Sequence, residues 1–220
     1  MPPLLITLLV VLAAYLLGSV PFALVASRLF GLADPRSYGS GNPGATNVLR
    51  SGHKGAAVLT LIGDAAKGWL AVFLASRYAA EYGLGGYTVG LVALAVFFGH
   101  LYPVFLRFKG GKGVATAAGV LLAINSWLGL ATLATWLVIA FALRYSSLAA
   151  LVAAAAAPLY AILMWGGDGR VLVVGIIAMA LIGKHWQNLQ RLMAGSEPKI
   201  GRRKWPQEVA ARAVAAQAPV

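Results

Sequence analysis

No charged side chain occurs before Arg28. The opening run MPPLLITLLVVLAAYLLGSVPFALVAS is thus uncharged for longer than one bilayer crossing requires, a crossing taking about 20 apolar residues. A cleaved secretory leader carries its basic stretch ahead of the apolar run and a small-residue cleavage site behind it. Here the basic residues follow the run, so it reads as a retained span. Further apolar segments lie at 57–76, 87–106, 114–124, 127–143, 148–165 and 171–187. Of the 220 residues, 60% are apolar and 11% charged, against about 25% charged in a soluble domain. So apolar a chain cannot cover a soluble core with polar surface, and the expected class is an all-α integral membrane protein. Disorder is excluded by the hydrophobicity, and a nucleic-acid partner by the small total number of ions. With no cysteine, disulfide scaffolds, thiolate zinc sites and cysteine nucleophiles are excluded too.

The formal net charge is +12, and its placement sets the expected topology. Seven transmembrane helices, with the N-terminus outside and the C-terminus cytoplasmic, put every Lys and Arg except Arg77 and Arg170 on the inner side. Basic residues near span ends are retained there. The fourth span, 114–124, is short. Joining it to the fifth as one helix over 114–143 would carry the basic C-terminus outside, so a turn is expected at Asn125-Ser126. Residues 1–198 then form one membrane domain, and 199–220 a basic, Ala-rich cytoplasmic tail that lies on the anionic inner leaflet or is partly disordered.

Three polar segments interrupt the apolar pattern, all on the expected inner face. The first, GSGNPGATNVLR (Gly39–Arg50), formally matches G-x-G-x-x-G, but an apolar span precedes it where a dinucleotide fingerprint needs a strand. Its chemistry still suits an anion. Gly41 and its neighbours let backbone N–H groups converge, Ser40, Asn42, Thr46 and Asn47 offer neutral donors, and Arg50 a guanidinium fork. In the second, GHLYPVFLRFKGGKGVATAAG (Gly99–Gly119), Leu106 and Gly113 break a Walker A pattern. Gly110, Gly111, Lys112 and Gly113 nonetheless open a short helix with free N–H groups, the positive dipole end and an ammonium. The third, GKHWQNLQRLMAGSEP (Gly183–Pro198), spaces Lys184, Asn188 and Arg191 for one face of a continuous helix, with His185 beside Asn188. Arg144, Ser146 and Ser147 make a fourth inner patch. Asp64 and Lys67, at i and i+3, read as a structural pair first and a site second. His100 has no partner among its sequence neighbours, and Gly86 and Gly90 read as a helix-packing pair.

The chemistry left open is narrow. Six acids without a clustered pair and three scattered histidines give no metal site, which also excludes aspartate-rich CDP-alcohol phosphotransferases. The H-x-x-x-x-D acyltransferase signature is absent, since Val58, Phe105 and Gln190 stand five residues after the histidines. No cofactor is expected. A site that offers anion binding, hydrogen bonds and one imidazole suits substrates that bring their own activation.

Together, GSGNPGATN, GHLYPVFLRFKGGKGVAT and KHWQNLQRLMAGSE resemble the three cytoplasmic motifs of PlsY-type glycerol-3-phosphate acyltransferases of bacteria. The resemblance runs from residue 1 to about 198 and leaves the tail unaccounted for. It implies a multipass enzyme of the bacterial inner membrane with its site facing the cytoplasm. Such an enzyme moves a fatty acyl group from acyl phosphate to the 1-hydroxyl of sn-glycerol 3-phosphate, yielding lysophosphatidic acid and orthophosphate. Neither acyl-CoA nor acyl carrier protein is the direct donor. Carried over by position, Ser40, Arg50, Lys112 and Ser147 would bind phosphates. His185 and Asn188 would order the site, with either His185 or a substrate phosphate as general base. The competing reading is a multipass transporter of phosphorylated anions, for which the sequence offers neither a repeat nor paired broken helices.

Overall fold

The computed structural model describes residues 2–201, and these are helical, with no strand among them. The tail expected over 199–220 lies outside the described residues from 202 onward. Helix α1 (Pro3–Ser19) stops at Val20 because Pro21 has no N–H and disfavours helical geometry before it. The chain restarts as α2 (Phe22–Leu29), bent by 43°. The first span expected from the apolar run is therefore built as two helices with a bend between them.

Beyond the first polar segment, which carries the short α3 (Ala45–Val48), His53 opens α4 (Lys54–Tyr78): its Nδ1 accepts the Ala56 N–H at 3.1 Å. Helix α5 (Gly86–Leu101) leads through a 3-10 turn, Val104–Leu106, to the second polar segment and α6 (Val114–Ile124). Asn125 is extended (φ −160°, ψ 123°), and its side chain accepts the Leu128 N–H at 3.1 Å, which starts α7 (Ser126–Leu143) afresh. A single helix over 114–143 does not form. Helices α8 (Ser146–Trp165), α9 (Gly169–Lys184) and α10 (Trp186–Met193) complete the order. The last two are bent by 58° across His185.

By length and apolarity α4, α5 with its following turn, α7 and α8 can each cross a membrane, and the two bent pairs raise this to six. The shorter apolar helix α6 has 11 residues. At about 1.5 Å per residue it is roughly half as long as the hydrocarbon layer is thick.

Small residues bring the helices together. A Cβ at Gly119 would strike the Ala65 carbonyl and one at Gly68 the Thr116 carbonyl, so α4 and α6 meet backbone to backbone. Gly18 and Gly99 do the same for α1 and α5. Of the expected packing pair, Gly90 faces Val173 on α9, whereas Gly86 is open.

Charge inside the bundle is paired. Lys67 Nζ lies 2.9 Å from Asp64 Oδ1 and donates to Val20 O at 2.8 Å, where the helical break leaves that carbonyl without a helical partner. His100 Nδ1 is 3.3 Å from the same Asp64 oxygen. The imidazole that lacked a partner in its own neighbourhood finds one on another helix.

Candidate functional site

The second polar segment folds back onto the end of α5. Gly111 N–H donates to His100 O at 3.2 Å. A Cβ at Gly110 would strike that same carbonyl, and one at Gly111 would strike His100 Nε2. Gly113 adopts φ +83° against Phe97 and Leu101. All three glycines are thus required by close approach to α5, a packing demand distinct from freeing N–H groups for an anion. The result places Lys112 immediately before the first turn of α6.

Lys112 Nζ donates to Asn188 Oδ1 on α10. Asn188 Nδ2 donates to Glu197 Oε1 at 2.6 Å, and Ser147 Oγ, from the first turn of α8, donates to the same oxygen at 2.7 Å. Arg191 Nε donates to Glu197 Oε2 at 2.7 Å. The segment after α10 is pinned further on, where Ile200 N–H donates to Arg144 O at 2.7 Å and the Arg144 guanidinium to Ile200 O at 3.0 Å. Thr46 and Ser146 hydroxyls, 3.3 Å apart, bring the first polar segment to this end of the bundle. Four stretches distant in sequence therefore converge.

Within the first segment the candidates divide. Asn47 is buried and braces the loop: its Nδ2 donates to Pro35 O at 2.6 Å and Tyr38 O at 3.1 Å, and its Oδ1 accepts the Ser40 N–H at 2.9 Å. Ser40 and Gly41 (φ +65°) are exposed, as is Thr46, while Asn42 and Arg50 are half-buried. Lys184 leaves the expected face. The break at His185 turns α10 away, and Lys184 Nζ sits 4.1 Å from the centre of the Tyr102 ring.

His185 is buried, and its Nδ1 lies 2.8 Å from Leu181 O. A carbonyl only accepts, so Nδ1 carries the proton and the neutral ring keeps its lone pair at Nε2.

Burial pushes the Lys112 ammonium down to about 8. Glu197 opposes that shift, and Arg191 and Arg50 add to it. One half-buried lysine thus sits in the field of two guanidiniums and of the Glu197 carboxylate, an arrangement that suits a phosphate dianion. Glu197 was missed in the sequence. The available signal was its membership of the third polar segment in a chain with only six acids.

An all-helical integral membrane protein with a cationic polar cluster at one end of its bundle is the class that fold and site define. A profile of the family described as glycerol-3-phosphate acyltransferase matches residues 8–195, and the chain belongs to that family. It is 70% identical over 192 residues to the glycerol-3-phosphate acyltransferase of Dechloromonas aromatica, covering 87% of this chain and 95% of that one. With the Ralstonia nicotianae enzyme it shares 61% identity over 200 residues, covering 91% and 97% of the two chains. The crystal structure of PlsY, an integral membrane glycerol 3-phosphate acyltransferase in its glycerol 3-phosphate form, superposes with a TM-score of 0.82 at 38% identity, covering 89% of this chain and 96% of that one. The lysophosphatidic acid form of PlsY gives 0.79 at 36% identity, with 89% and 95% covered.

Proposed function

We propose that the protein transfers a fatty acyl group from acyl phosphate to the 1-hydroxyl of sn-glycerol 3-phosphate, releasing lysophosphatidic acid and orthophosphate. The observation that carries this reading is the cluster around Lys112, whose ammonium lies in the field of the Arg50 and Arg191 guanidiniums and of the Glu197 carboxylate that Arg191 binds. Both substrates bring a phosphate, and the positive charge of this cluster favours a phosphate dianion.

The hydroxyl oxygen attacks the carbonyl carbon of the mixed anhydride, the bond from that carbon to the phosphate oxygen breaks, and the phosphate leaves with the electron pair. Lys112 and Arg50 neutralise the phosphates and stabilise the charge that develops on the leaving group. Ser40 adds a hydroxyl donor, and Ser147 does so by turning its hydroxyl from Glu197 to a phosphate oxygen. Asn188 holds Lys112 on one side and Glu197 on the other, which orients the ammonium. The hydroxyl proton passes to a substrate phosphate oxygen, with His185 Nε2 the second acceptor in rank. Because the phosphate is already a good leaving group, positioning and charge supply the catalysis and no protein nucleophile is required.

The site faces the cytoplasm in this reading, with the N-terminus outside, because nearly all Lys and Arg then lie on the inner side. The acyl chain stays in the bilayer while its phosphate meets the cationic end, and glycerol 3-phosphate arrives from the cytosol. The deciding assay supplies purified protein with acyl phosphate and glycerol 3-phosphate and follows both products. Equal activity with acyl-CoA, or no product with acyl phosphate, overturns the reading.

A further inference from the structure

Behind the glycine loop that carries Lys112 stands the buried cluster of Asp64, Lys67 and His100, with side-chain exposures of 4%, 1% and 8%. The chemistry above uses none of them. Building ionisable groups into an apolar bundle is costly, so their arrangement calls for a reason. The His100 ring is tethered at one edge: Nδ1 lies against Asp64, Asp64 is held by Lys67, and Lys67 is held by Val20 O at the break between α1 and α2. Its opposite edge, Nε2, fills the space that a side chain on Gly111 would need, and its own carbonyl accepts the Gly111 N–H. A loose imidazole would swing aside for a methyl group. This one is anchored at its far side to a buried ion pair.

We infer that His100, locked by Asp64 and Lys67, is a positioning residue that fixes the Gly110–Gly111 backbone and thereby the height and direction of Lys112. The inference rests on Lys112 being a phosphate ligand, as in the reading above. It assigns the cluster a task that ion pairing alone would not require: the outer edge of the ring is a surface against which the loop is set.

A double-variant cycle on the full-length protein in detergent tests this, reading the KM for glycerol 3-phosphate beside kcat and the thermal midpoint. Gly111→Ala pushes its methyl into the ring and raises KM by about tenfold or more. His100→Asn keeps a donor for Asp64 but removes the outer half of the ring, and raises KM by itself. Combined, the two fit together, and KM falls below that of Gly111→Ala alone, a coupling a merely structural role would not give. His100→Gln, whose amide reaches the Nε2 position, retains more of the wild-type KM than His100→Asn. Additive effects in the double variant, an ordinary KM in Gly111→Ala, or equal damage from Gln and Asn would each overturn the inference. Wild-type turnover and its loss in Lys112→Ala check the underlying reading separately.

Discussion

Asn188 Nδ2 donates to Glu197 Oε1 at 2.6 Å, and its Oδ1 accepts from Lys112, so one amide joins the ammonium to the carboxylate. Glu197 also receives Ser147 and Arg191. Burial pushes its carboxyl up, but the donations from Ser147, Asn188 and Arg191 outweigh that and hold it below the ordinary glutamate range. A depressed carboxyl contributes stability that is present above its unfolded-state value and lost as pH falls through the folded one. Glu197→Ala is expected to cost about 1–3 kcal/mol, because it strands three donors, and to reduce turnover through Lys112. Thermal unfolding in detergent from pH 7 down to pH 3 checks both parts: the wild type should weaken at the acid end, and the variant should begin weaker and depend less on pH. A variant with the wild-type acid limb would mean that the carboxylate is not what titrates.

Lys112, with its ammonium lowered to about 8, makes binding pH-dependent on the basic side. Phosphate favours the protonated amine, so kcat/KM for glycerol 3-phosphate should fall above about pH 8, approaching tenfold per unit. Below about pH 6 it should fall again as the substrate phosphate protonates. Lys112→Arg keeps its charge across this range, so its profile should lose the basic limb while its rate drops for want of the lysine's bond to Asn188. A basic limb unchanged in Lys112→Arg would locate the titrating group elsewhere.

Much of this was legible in the sequence, because periodic apolar runs and turn residues act locally. The Asn125 turn could be read from the charge rule and the run lengths, and it is held by Asn125's own side chain. Asp64 and Lys67 were legible as a pair because i and i+3 share a helix face. What escaped was contact between elements. The partner of His100 sits on another helix, Glu197 gains meaning only from donors on two separate helices, α8 and α10, and the bend at His185 sends Lys184 to Tyr102. The glycines of the second segment stand out in the sequence, yet their packing reason lies in the neighbouring helix end.

Asn47 separates a brace from a ligand inside the first polar segment. It closes the loop by bonds to Pro35, Tyr38 and Ser40 while buried. Asn47→Ala leaves the Pro35 carbonyl and the Ser40 N–H short of partners, while Tyr38 O keeps the Gly41 N–H at 2.9 Å, for a cost of about 1–3 kcal/mol. The expected signature is a lower thermal midpoint together with lost activity. Thr46→Ala, at an exposed position with one long contact to Ser146, should leave the midpoint within error. Equal stability of the two variants would make Asn47 a ligand rather than a brace.

The pair Asp64–Lys67 tests how the bundle tolerates charge. Both are almost fully buried and 2.9 Å apart. Removing one partner leaves the other uncompensated, which costs about 3–5 kcal/mol where it has been measured in protein interiors. Lys67→Met should therefore lower the thermal midpoint sharply, and it also deprives Val20 O of its donor. Asp64→Asn combined with Lys67→Met removes both charges and keeps a polar acceptor facing His100. That double variant should be more stable than the sum of the single losses predicts, the coupling reporting the pair itself. Strict additivity would mean that the two charges do not compensate each other, and the ammonium's main role would then be its bond to Val20 at the break in the first span.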